Sequence, residues 1–374
     1  MKKYKPGGVM IKKYMLPLIL LLLMSCAATQ EKIETVFYPA LPQNPRLQFL
    51  TSITSEDDIG KEKSAFREFL LGETKSMKQV ARPYDIASVP GKIYVSDRTY
   101  KKILVIDFDK MEFNFIKDEA EGSLDQPAGI WITPSGNKYI ADFGRKQIVV
   151  FNDKDEFVTA YGREGQFGKP LDVAVQGKKM YVVDFDNHHI AVVDLDSGET
   201  IHTIGGSGAE PGKMHRPSHI ALDTEGNIYV DDSFNFRIQK FSPDGQFQKV
   251  YGYPGDTLGG FARPKGIAVD AEGYLYAVDT AFENVQIFDN ESALLLLFFG
   301  GFGPNPGSMY LPNSVYMDYD NIKYFQKYVD KNFNVKYLVY VGNMLGEHKI
   351  NVYGFGEWTG KPLPDVPRRK IELD

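Results

Sequence analysis

Residues 263–270 read Arg263-Pro264-Lys265-Gly266-Ile267-Ala268-Val269-Asp270, and after the turn Glu272-Gly273 the chain continues with Tyr276-Ala277-Val278-Asp279. Two short apolar segments that flank a glycine turn predict a pair of antiparallel strands. A third apolar segment begins at Val285, and a fourth ends in Phe299-Gly300. This part of the chain is therefore predicted to form one four-stranded sheet.

The same pattern occurs in six copies. Each copy begins at a proline, and successive prolines lie 43 to 48 residues apart: Pro83, Pro127, Pro170, Pro217, Pro264 and Pro312. In five copies the second strand ends in an aspartate and the third strand begins six residues later; these residues are Asp97, Asp142, Asp184, Asp232 and Asp279. Repeats of this length with four strands predict an all-β fold, the six-bladed β-propeller. One sheet alone would leave both apolar faces in water, whereas a closed ring buries them.

The repeats resemble those of the NHL-repeat family. The resemblance lies in Arg263–Asp270, in Phe234-Asn235-Phe236-Arg237-Ile238-Gln239 and in the glycine-rich connection Gly162-Arg163-Glu164-Gly165-Gln166-Phe167-Gly168. It spans residues 77–357, which we predict to be the propeller. The resemblance supports the fold more strongly than any activity, because function depends on sites and not on folds.

The sixth copy departs from the pattern. A long insertion, residues 319–336, separates its first two strands, Asn343 stands where the other copies have aspartate, and no apolar fourth strand follows Gly354. The only unused strand of suitable length is Arg46–Ile53. We therefore expect residues 46–76 to supply a strand that closes the sixth blade and a short helix near residues 64–71, and residues 358–374 to form a C-terminal tail.

Composition excludes several classes of protein. The chain has 374 residues, 43% of them hydrophobic, with a net charge of −6 and a single cysteine. This is enough apolar material for a buried core, so a disordered chain is excluded. One cysteine excludes a disulfide scaffold and paired-cysteine zinc sites. The acidic balance offers no surface for nucleic acid.

The N-terminus has the pattern of an export signal. Lys12 and Lys13 precede the apolar run Met15–Met24, which is too short to span a bilayer. Leu23-Met24-Ser25-Cys26 resembles the lipobox of bacterial lipoproteins, which implies cleavage of residues 1–25 and acylation of Cys26 by chains such as palmitate. An incidental thiol in a plain signal peptide is the alternative reading, and Met10 is an alternative start.

Cleavage before Cys26 would leave an acidic protein on a lipid anchor. The mature chain would carry 38 basic and 49 acidic residues, a net charge of −11. Residues 26–45 contain three prolines and are expected to form an extended tether. Ala27 after the cysteine is similar to the outer-membrane sorting pattern. We therefore expect a location in the bacterial cell envelope, at the outer membrane of a two-membrane host.

Candidate binding residues occur where each innermost strand begins, on the face that we call the top. Two residues after the repeat prolines stand polar side chains that are expected at the mouth of the central channel: Asp85, Asp172, His219 and Ser314. No cofactor is expected, but the two carboxylates and the imidazole could bind a divalent cation. The alternative is that these groups bind ordered water.

A second set of candidates follows the strand-ending aspartates. Aromatic side chains on a rigid rim are typical anchors for a partner, and here they accompany one arginine: Arg98, Phe143, Phe185, Phe234 and Phe282. The alternative is that the rings pack between blades. The aspartates occur in every ordinary blade, which favours a structural role as acceptors of loop N–H groups.

The sequence leads to two hypotheses about function. The first is a membrane-anchored, non-catalytic binding or scaffolding module whose top face recognises a protein or small ligand. The second is a metal-dependent enzyme of the lyase or lactonase type, since some six-bladed propellers resembling this one carry such activities. Its site would then contain Asp85, Asp172 and His219.

Overall fold

The computed structural model describes residues 35–60, 78–117 and 119–361, together with the isolated positions 1 and 363. It contains six antiparallel sheets, five with four strands and one with five. The predicted six-bladed β-propeller is therefore confirmed. Each blade contains one copy of the repeat, and its innermost strand begins at the repeat proline in five blades and three residues after Pro217 in blade four.

The first three blades follow the repeat without exception. Blade one consists of β3 (Pro83–Val89), β4 (Lys92–Asp97), β5 (Lys102–Asp107) and β6 (Glu112–Phe115). Blade two consists of β7 (Pro127–Ile132), β8 (Lys138–Asp142), β9 (Gln147–Phe151) and β10 (Phe157–Tyr161). Blade three consists of β11 (Pro170–Gln176), β12 (Lys179–Asp184), β13 (His189–Asp194) and β14 (Thr200–Gly205).

The other three blades include the one that departs from the repeat. Blade four consists of β15 (Ile220–Leu222), β16 (Ile228–Asp232), β17 (Arg237–Phe241) and β18 (Phe247–Tyr251). Blade five consists of β19 (Pro264–Val269), β20 (Leu275–Asp279), β21 (Asn284–Phe288) and β22 (Leu295–Gly300). Blade six consists of β1 (Phe37–Tyr38), β2 (Leu47–Ile53), β23 (Pro312–Asp318), β24 (Phe333–Asn343) and β25 (Ile350–Trp358).

The few helical turns in the described residues are short. The α-helix α1 covers Ile322–Phe325, and the 3₁₀ turns cover Glu56–Ile59, Ala120–Gly122, Ser233–Asn235 and Gln326–Tyr328.

The core lies between neighbouring sheets. Between blades three and four, Val183 and Ile190 pack against Ile220 and Val230, and all four side chains are buried. Similar apolar clusters fill the spaces between the other blades. Burying such a side chain contributes about 1.5–3 kcal/mol relative to leaving it in water. Each sheet therefore depends on both neighbours.

The N-terminal strand closes the ring, as the sequence predicts. Strand β2 pairs antiparallel with β25 from Leu47 opposite Phe355 to Ile53 opposite Ile350. The expected tether, residues 26–45, contains one further strand, because Phe37 and Tyr38 pair with β2. The ring of Phe37 packs against Trp358, with 5.7 Å between the ring centres, and is buried there. This apolar contact holds β1 in place, so the segment that closes the ring begins within the predicted tether and not at residue 46.

The insertion in the sixth copy packs against blade one. The ring of Tyr324 stacks on Phe108, with 4.8 Å between the ring centres, and Phe325 is buried in the same cluster. Gln48 of β2 also donates a hydrogen bond to the backbone oxygen of Tyr328, at 2.8 Å. The insertion thus joins the closing strand to the first blade.

Several predicted features lie outside the described residues. They are the export signal of residues 1–25, the lipidation site Cys26, the helix near residues 64–71 and nearly all of the tail from residue 362 onward. Among the residues that are described, no helix has the length and apolar character needed to cross a membrane.

The closing strand yields a test of the fold. Leu47→Ala removes a fully buried side chain from β2 and should lower the free energy of unfolding by about 2–5 kcal/mol. The matched variant Leu258→Ala truncates a leucine that is 69% exposed and should leave stability nearly unchanged. Thermal and urea unfolding measure both. Equal effects of the two variants would contradict closure by β2.

Candidate functional site

Side chains from all six blades meet where the innermost strands begin. In blades one, three and six the ladder between the first two strands is irregular just after the proline, for example between Pro83 and Asp85. The residue after the proline thereby leaves the regular pairing and lies near the propeller axis. We call these six residues the axial ring: Tyr84, Ala128, Leu171, Ser218, Lys265 and Asn313.

Contacts within the axial ring close the top of the channel. Tyr84, Ala128 and Leu171 form one buried apolar cluster. Asn313 donates to the backbone oxygen of Tyr84 at 2.7 Å. The ring of Tyr84 stacks on His219, with 5.4 Å between ring centres. Because blades one and four are opposite each other, this contact requires Tyr84 to reach across the axis.

The predicted channel-mouth residues lie beneath the axial ring and not at an open mouth. Asp85, Asp172 and His219 line one cavity of about 200 Å³. The structure thus brings these three together, as the repeat spacing predicts. Ser314 does not line that cavity; its side chain is buried, and its hydroxyl has no hydrogen-bond partner among the described residues.

Asp85 and Asp172 each accept hydrogen bonds from the next blade. Asp85 Oδ2 accepts from the Ile130 N–H at 2.8 Å, and Asp172 Oδ2 accepts from the Ile220 N–H at 2.9 Å. Asp172 Oδ1 also accepts from the N–H of Val173 in its own blade, at 2.8 Å. Gly129 makes room for this carboxylate, because a Cβ atom there would lie 1.9 Å from Asp172 Oδ1.

Burial makes the charged form of both carboxyls unfavourable. It raises the pKa of Asp172 well above its ordinary value, and the nearby Asp85 carboxylate raises it further. Burial also raises the pKa of Asp85, while the field of His219 opposes that shift. Two carboxyls in one apolar cavity repel each other, so a proton or another cation is needed to balance them.

These three residues do not form a metal-ligand set. Among the described residues, no group of three or more His, Cys, Asp and Glu side chains is arranged to hold a metal ion. His219 Nδ1 is 2.9 Å from Ser218 Oγ, and its Nε2 is 3.5 Å from Asn313 Nδ2. Both imidazole nitrogens therefore face other protein groups.

A buried polar network that the sequence analysis missed lies beside the axial ring. Asp231 Oδ2 accepts from Ser218 Oγ at 2.7 Å, and Asp231 Oδ1 accepts from Ser233 Oγ at 2.7 Å. Lys265 Nζ donates to Ser218 Oγ at 3.2 Å. The only sequence signal is Asp231 itself, because the equivalent positions elsewhere are small or apolar: Ser96, Ala141, Val183, Val278 and Gly342.

Burial lowers the pKa of the Lys265 ammonium group, and neighbouring Arg263 and Lys169 lower it further. The carboxylate of Asp231 opposes that shift. Lys265 therefore lies close to two other cations, Arg263 and Lys169, although the whole chain is acidic.

Four of the five predicted top-face residues join two further cations in an alternating row of cations and aromatic rings. The Arg98 guanidinium lies 4.6 Å from the ring centre of Phe143. Lys169 Nζ lies 5.2 Å from Phe143 and 4.9 Å from Phe185. The Arg216 guanidinium lies 5.4 Å from both Phe185 and the next ring. We call this row the cation–aromatic arc: Arg98, Phe143, Lys169, Phe185, Arg216 and Phe234.

The sequence leaves two alternatives for the aromatic rings, exposure on a rim and packing between blades, and both occur in the arc. Phe143 and Phe185 are half-buried and pack against the axial ring, whereas Phe234 is 47% exposed. Phe282 is half-buried on blade five and joins none of the arc's ring contacts within the described part of the chain. Lys169 and Arg216, which the sequence analysis did not select, stand directly before the repeat prolines.

The strand-ending aspartates have the predicted structural role. Asp97 accepts hydrogen bonds from the backbone N–H groups of Ala81, Arg82 and Thr99, at 2.7 to 2.9 Å. Asp142, Asp184, Asp232 and Asp279 accept equivalent loop N–H groups in their own blades. These carboxylates hold the top loops in place, and the prediction that they are loop acceptors is confirmed.

Sequence comparison supports the predicted family resemblance. The chain is 28% identical to NHL repeat-containing protein 3 of Homo sapiens over 180 residues, which are 42% of this chain and 51% of that protein. The protein of the same name from Mus musculus is 26% identical over 181 residues. The chain thus spans about half the length of these curated relatives. No family model matches the chain.

Solved structures share the fold. A Bacteroides thetaiotaomicron protein of unknown function has a TM-score of 0.55 at 18% identity, covering 83% of this chain and 75% of its own. A gluconolactonase from Xanthomonas campestris has a TM-score of 0.51 at 14% identity, covering 86% and 97%. Virginiamycin B lyase from Staphylococcus aureus has a TM-score of 0.50 at 15% identity, covering 74% and 86%. At such identities the likeness shows the propeller fold alone.

The buried carboxyl of Asp172 predicts a pH dependence of stability. From about pH 4 upward, a group with a raised pKa binds more protons in the folded than in the unfolded protein. Its contribution to stability is therefore lost as the pH rises towards the raised pKa. Asp172→Asn removes this titration, so wild type should lose stability relative to the variant as the pH rises. Urea unfolding across the pH range measures this, and parallel curves would contradict it.

Proposed function

We propose that this protein is a non-catalytic binding or scaffolding module, exported and lipid-anchored, whose top face recognises a protein or small ligand. The cation–aromatic arc is the observation that carries the proposal. It places charged and aromatic groups side by side on a rigid surface formed by blades one to four. Aromatic and arginine side chains are the residue types that contribute most to binding energy at interfaces.

The cations of the arc lack acidic partners. Within the described parts of the chain, none of Arg98, Lys169 and Arg216 forms an ion pair. In the described residues, the groups that face these charges are aromatic rings, an interaction of about 0.5–1 kcal/mol at exposed sites. A ligand or partner with negative charge would therefore gain from contact with this arc.

The arc is also preorganised. Phe143 and Phe185 rest on the buried axial ring, and the strand-ending aspartates hold the loops that carry them. Binding here causes little further loss of side-chain freedom, because the rings and loops are already ordered. Loss of that freedom is a large free-energy cost when flexible cationic side chains bind a partner. This preorganised arrangement favours a binding role over a catalytic one.

The alternative of a metal-dependent lyase or lactonase finds less support. Asp85, Asp172 and His219 share a cavity, but the carboxylates accept backbone N–H groups, and no metal-ligand set exists among the described residues. The lyase and lactonase named above share the fold at identities too low to transfer an activity.

Export and anchoring rest on the sequence of residues 1–26. An acylated cysteine at the start of the mature chain would hold the propeller at a membrane, because each buried CH₂ contributes about 0.8 kcal/mol and several chains together make anchoring stable. We accordingly place the protein in the bacterial cell envelope.

The arc can be tested by charge reversal. Lys169→Glu combined with Arg216→Glu should abolish co-purification of the partner from detergent-solubilised membranes, because it reverses the charge of the arc. Raising the salt concentration should also weaken binding of the partner by the wild-type protein, because salt screens the attraction between exposed charges. Mass spectrometry and quantitative blotting of the bound fraction measure both effects.

The matched control is Lys154→Glu combined with Lys179→Glu. These lysines are exposed on blades two and three and lie away from the arc. The control should bind like wild type while carrying the same change in net charge. Equal loss of partner in both double variants would show a general charge effect and would refute recognition by the arc.

The lipid anchor has its own test. Cys26→Ser should prevent acylation and move the protein from the membrane fraction to the soluble fraction, because no acyl chain can then be attached. Membrane fractionation and intact-mass measurement of the mature chain report the outcome. Membrane association that persists in the variant with an unchanged mass would disprove lipidation at this residue.

A further inference from the structure

The central channel is a second candidate site, separate from the cation–aromatic arc. Its cavity of about 200 Å³ is lined by the innermost strands of all six blades. Asp85, Asp172 and His219 line its upper end, next to the axial ring. The rest of the lining is mainly apolar and includes Leu222 and Met317. An apolar cavity with a few convergent polar groups is the usual form of a small-molecule site.

Within the described part of the chain, the channel is closed at the top and open towards the face opposite the arc. At the top, Tyr84 reaches across the axis, and Ala128, Leu171 and Asn313 are buried around it. At the other end, Leu222 is half-buried and Tyr319 is 47% exposed. A ligand of the channel would therefore enter from the bottom face, with its leading end near the carboxyls.

The two carboxyls at the closed end lack a compensating cation. Among the described residues, neither Asp85 nor Asp172 forms an ion pair with Lys or Arg. Ionisation of Asp85 is favoured by His219 and by backbone N–H groups, which do not outweigh the effect of burial. Buried carboxylates are normally paired, because desolvation of an isolated charge is costly. An ionised carboxylate also offers about four acceptor positions, and two of those on Asp172 are occupied by backbone N–H groups.

The wall of the channel carries an unsatisfied donor as well. Trp131 lines the cavity, and its Nε1–H is buried with no acceptor among the described residues. This nitrogen is closed to solvent, so a ligand in the channel would contact the indole through its ring and not through the N–H.

We propose that the central channel binds a small organic ammonium ion, with its charged nitrogen between Asp85 and Asp172 and its apolar body along the lower wall. The ammonium group supplies the missing positive charge and up to three donors. An organic cation fits better than a metal ion, because the wall is apolar and no metal-ligand set is present in the described residues. The proposal does not depend on the function of the arc.

The test uses phenethylammonium chloride as the probe and Trp131 as the reporter. The chain has two tryptophans, so Trp358→Phe leaves Trp131 as the only one. At neutral pH the amine should produce a saturable change in Trp131 fluorescence. The neutral analogue 2-phenylethanol, which has the same apolar body, should bind about tenfold or more weakly, as expected for the loss of charged hydrogen bonds.

Variants locate the binding site. Asp85→Asn and Asp172→Asn should each weaken amine binding by about tenfold or more. Val269→Phe, which fills the lower channel, should also block binding and keeps the test valid if an aspartate variant fails to fold. Asp186→Asn, at an exposed position, should bind like the parent protein. The arc variant Lys169→Glu with Arg216→Glu should also bind amine normally, so failure of one proposal is distinguishable from failure of the other.

Three outcomes would overturn the proposal. One is the absence of any saturable change in Trp131 fluorescence at millimolar amine, in which case the cavity holds only ordered water. Another is equal affinity for the amine and the alcohol. A third is a saturable response to Ca²⁺ or Zn²⁺ alone that Asp172→Asn removes, since the channel would then be a metal site.

Discussion

Every part of this structure depends on the burial of sheet faces between neighbouring blades. Each sheet is apolar on both faces, so a blade without two neighbours would expose residues such as Val183 and Val230 to water. The ring must therefore close, and the pairing of β2 with β25 closes it. Because this pairing joins segments that are about 300 residues apart in sequence, the sixth blade forms only when both ends of the propeller meet.

Closure of the ring also determines where binding can occur. Six innermost strands converge on one axis, and the residue after each proline is turned towards it. Tyr84 is large enough to cross the axis and contact His219 on the opposite side. The molecule consequently has two separate regions, a top face outside the axial ring and a channel inside it.

These two regions carry different ionisable groups. Lys169, Arg216 and Lys265 lie on or near the top face, whereas Asp85 and Asp172 lie in the channel. The axial ring separates them, so the cations do not neutralise the carboxyls. Instead, the carboxyls accept N–H groups from adjacent blades, and burial raises their pKa values. The axial ring thus separates the carboxyl groups of the channel from the cations of the top face.

The sequence by itself determined the repeat, the number of blades, the closing strand and the structural aspartates, because these follow from spacing and from alternating apolar residues. The repeat spacing also predicted that Asp85, Asp172 and His219 lie close together, since they occupy equivalent positions in their blades. Only the tertiary structure decided that these residues lie beneath a closed ring. The reach of Tyr84 across the axis, the pairing of Lys169 with two rings and the network around Asp231 join different blades. Such contacts depend on side-chain directions in the assembled ring, which repeat spacing does not encode.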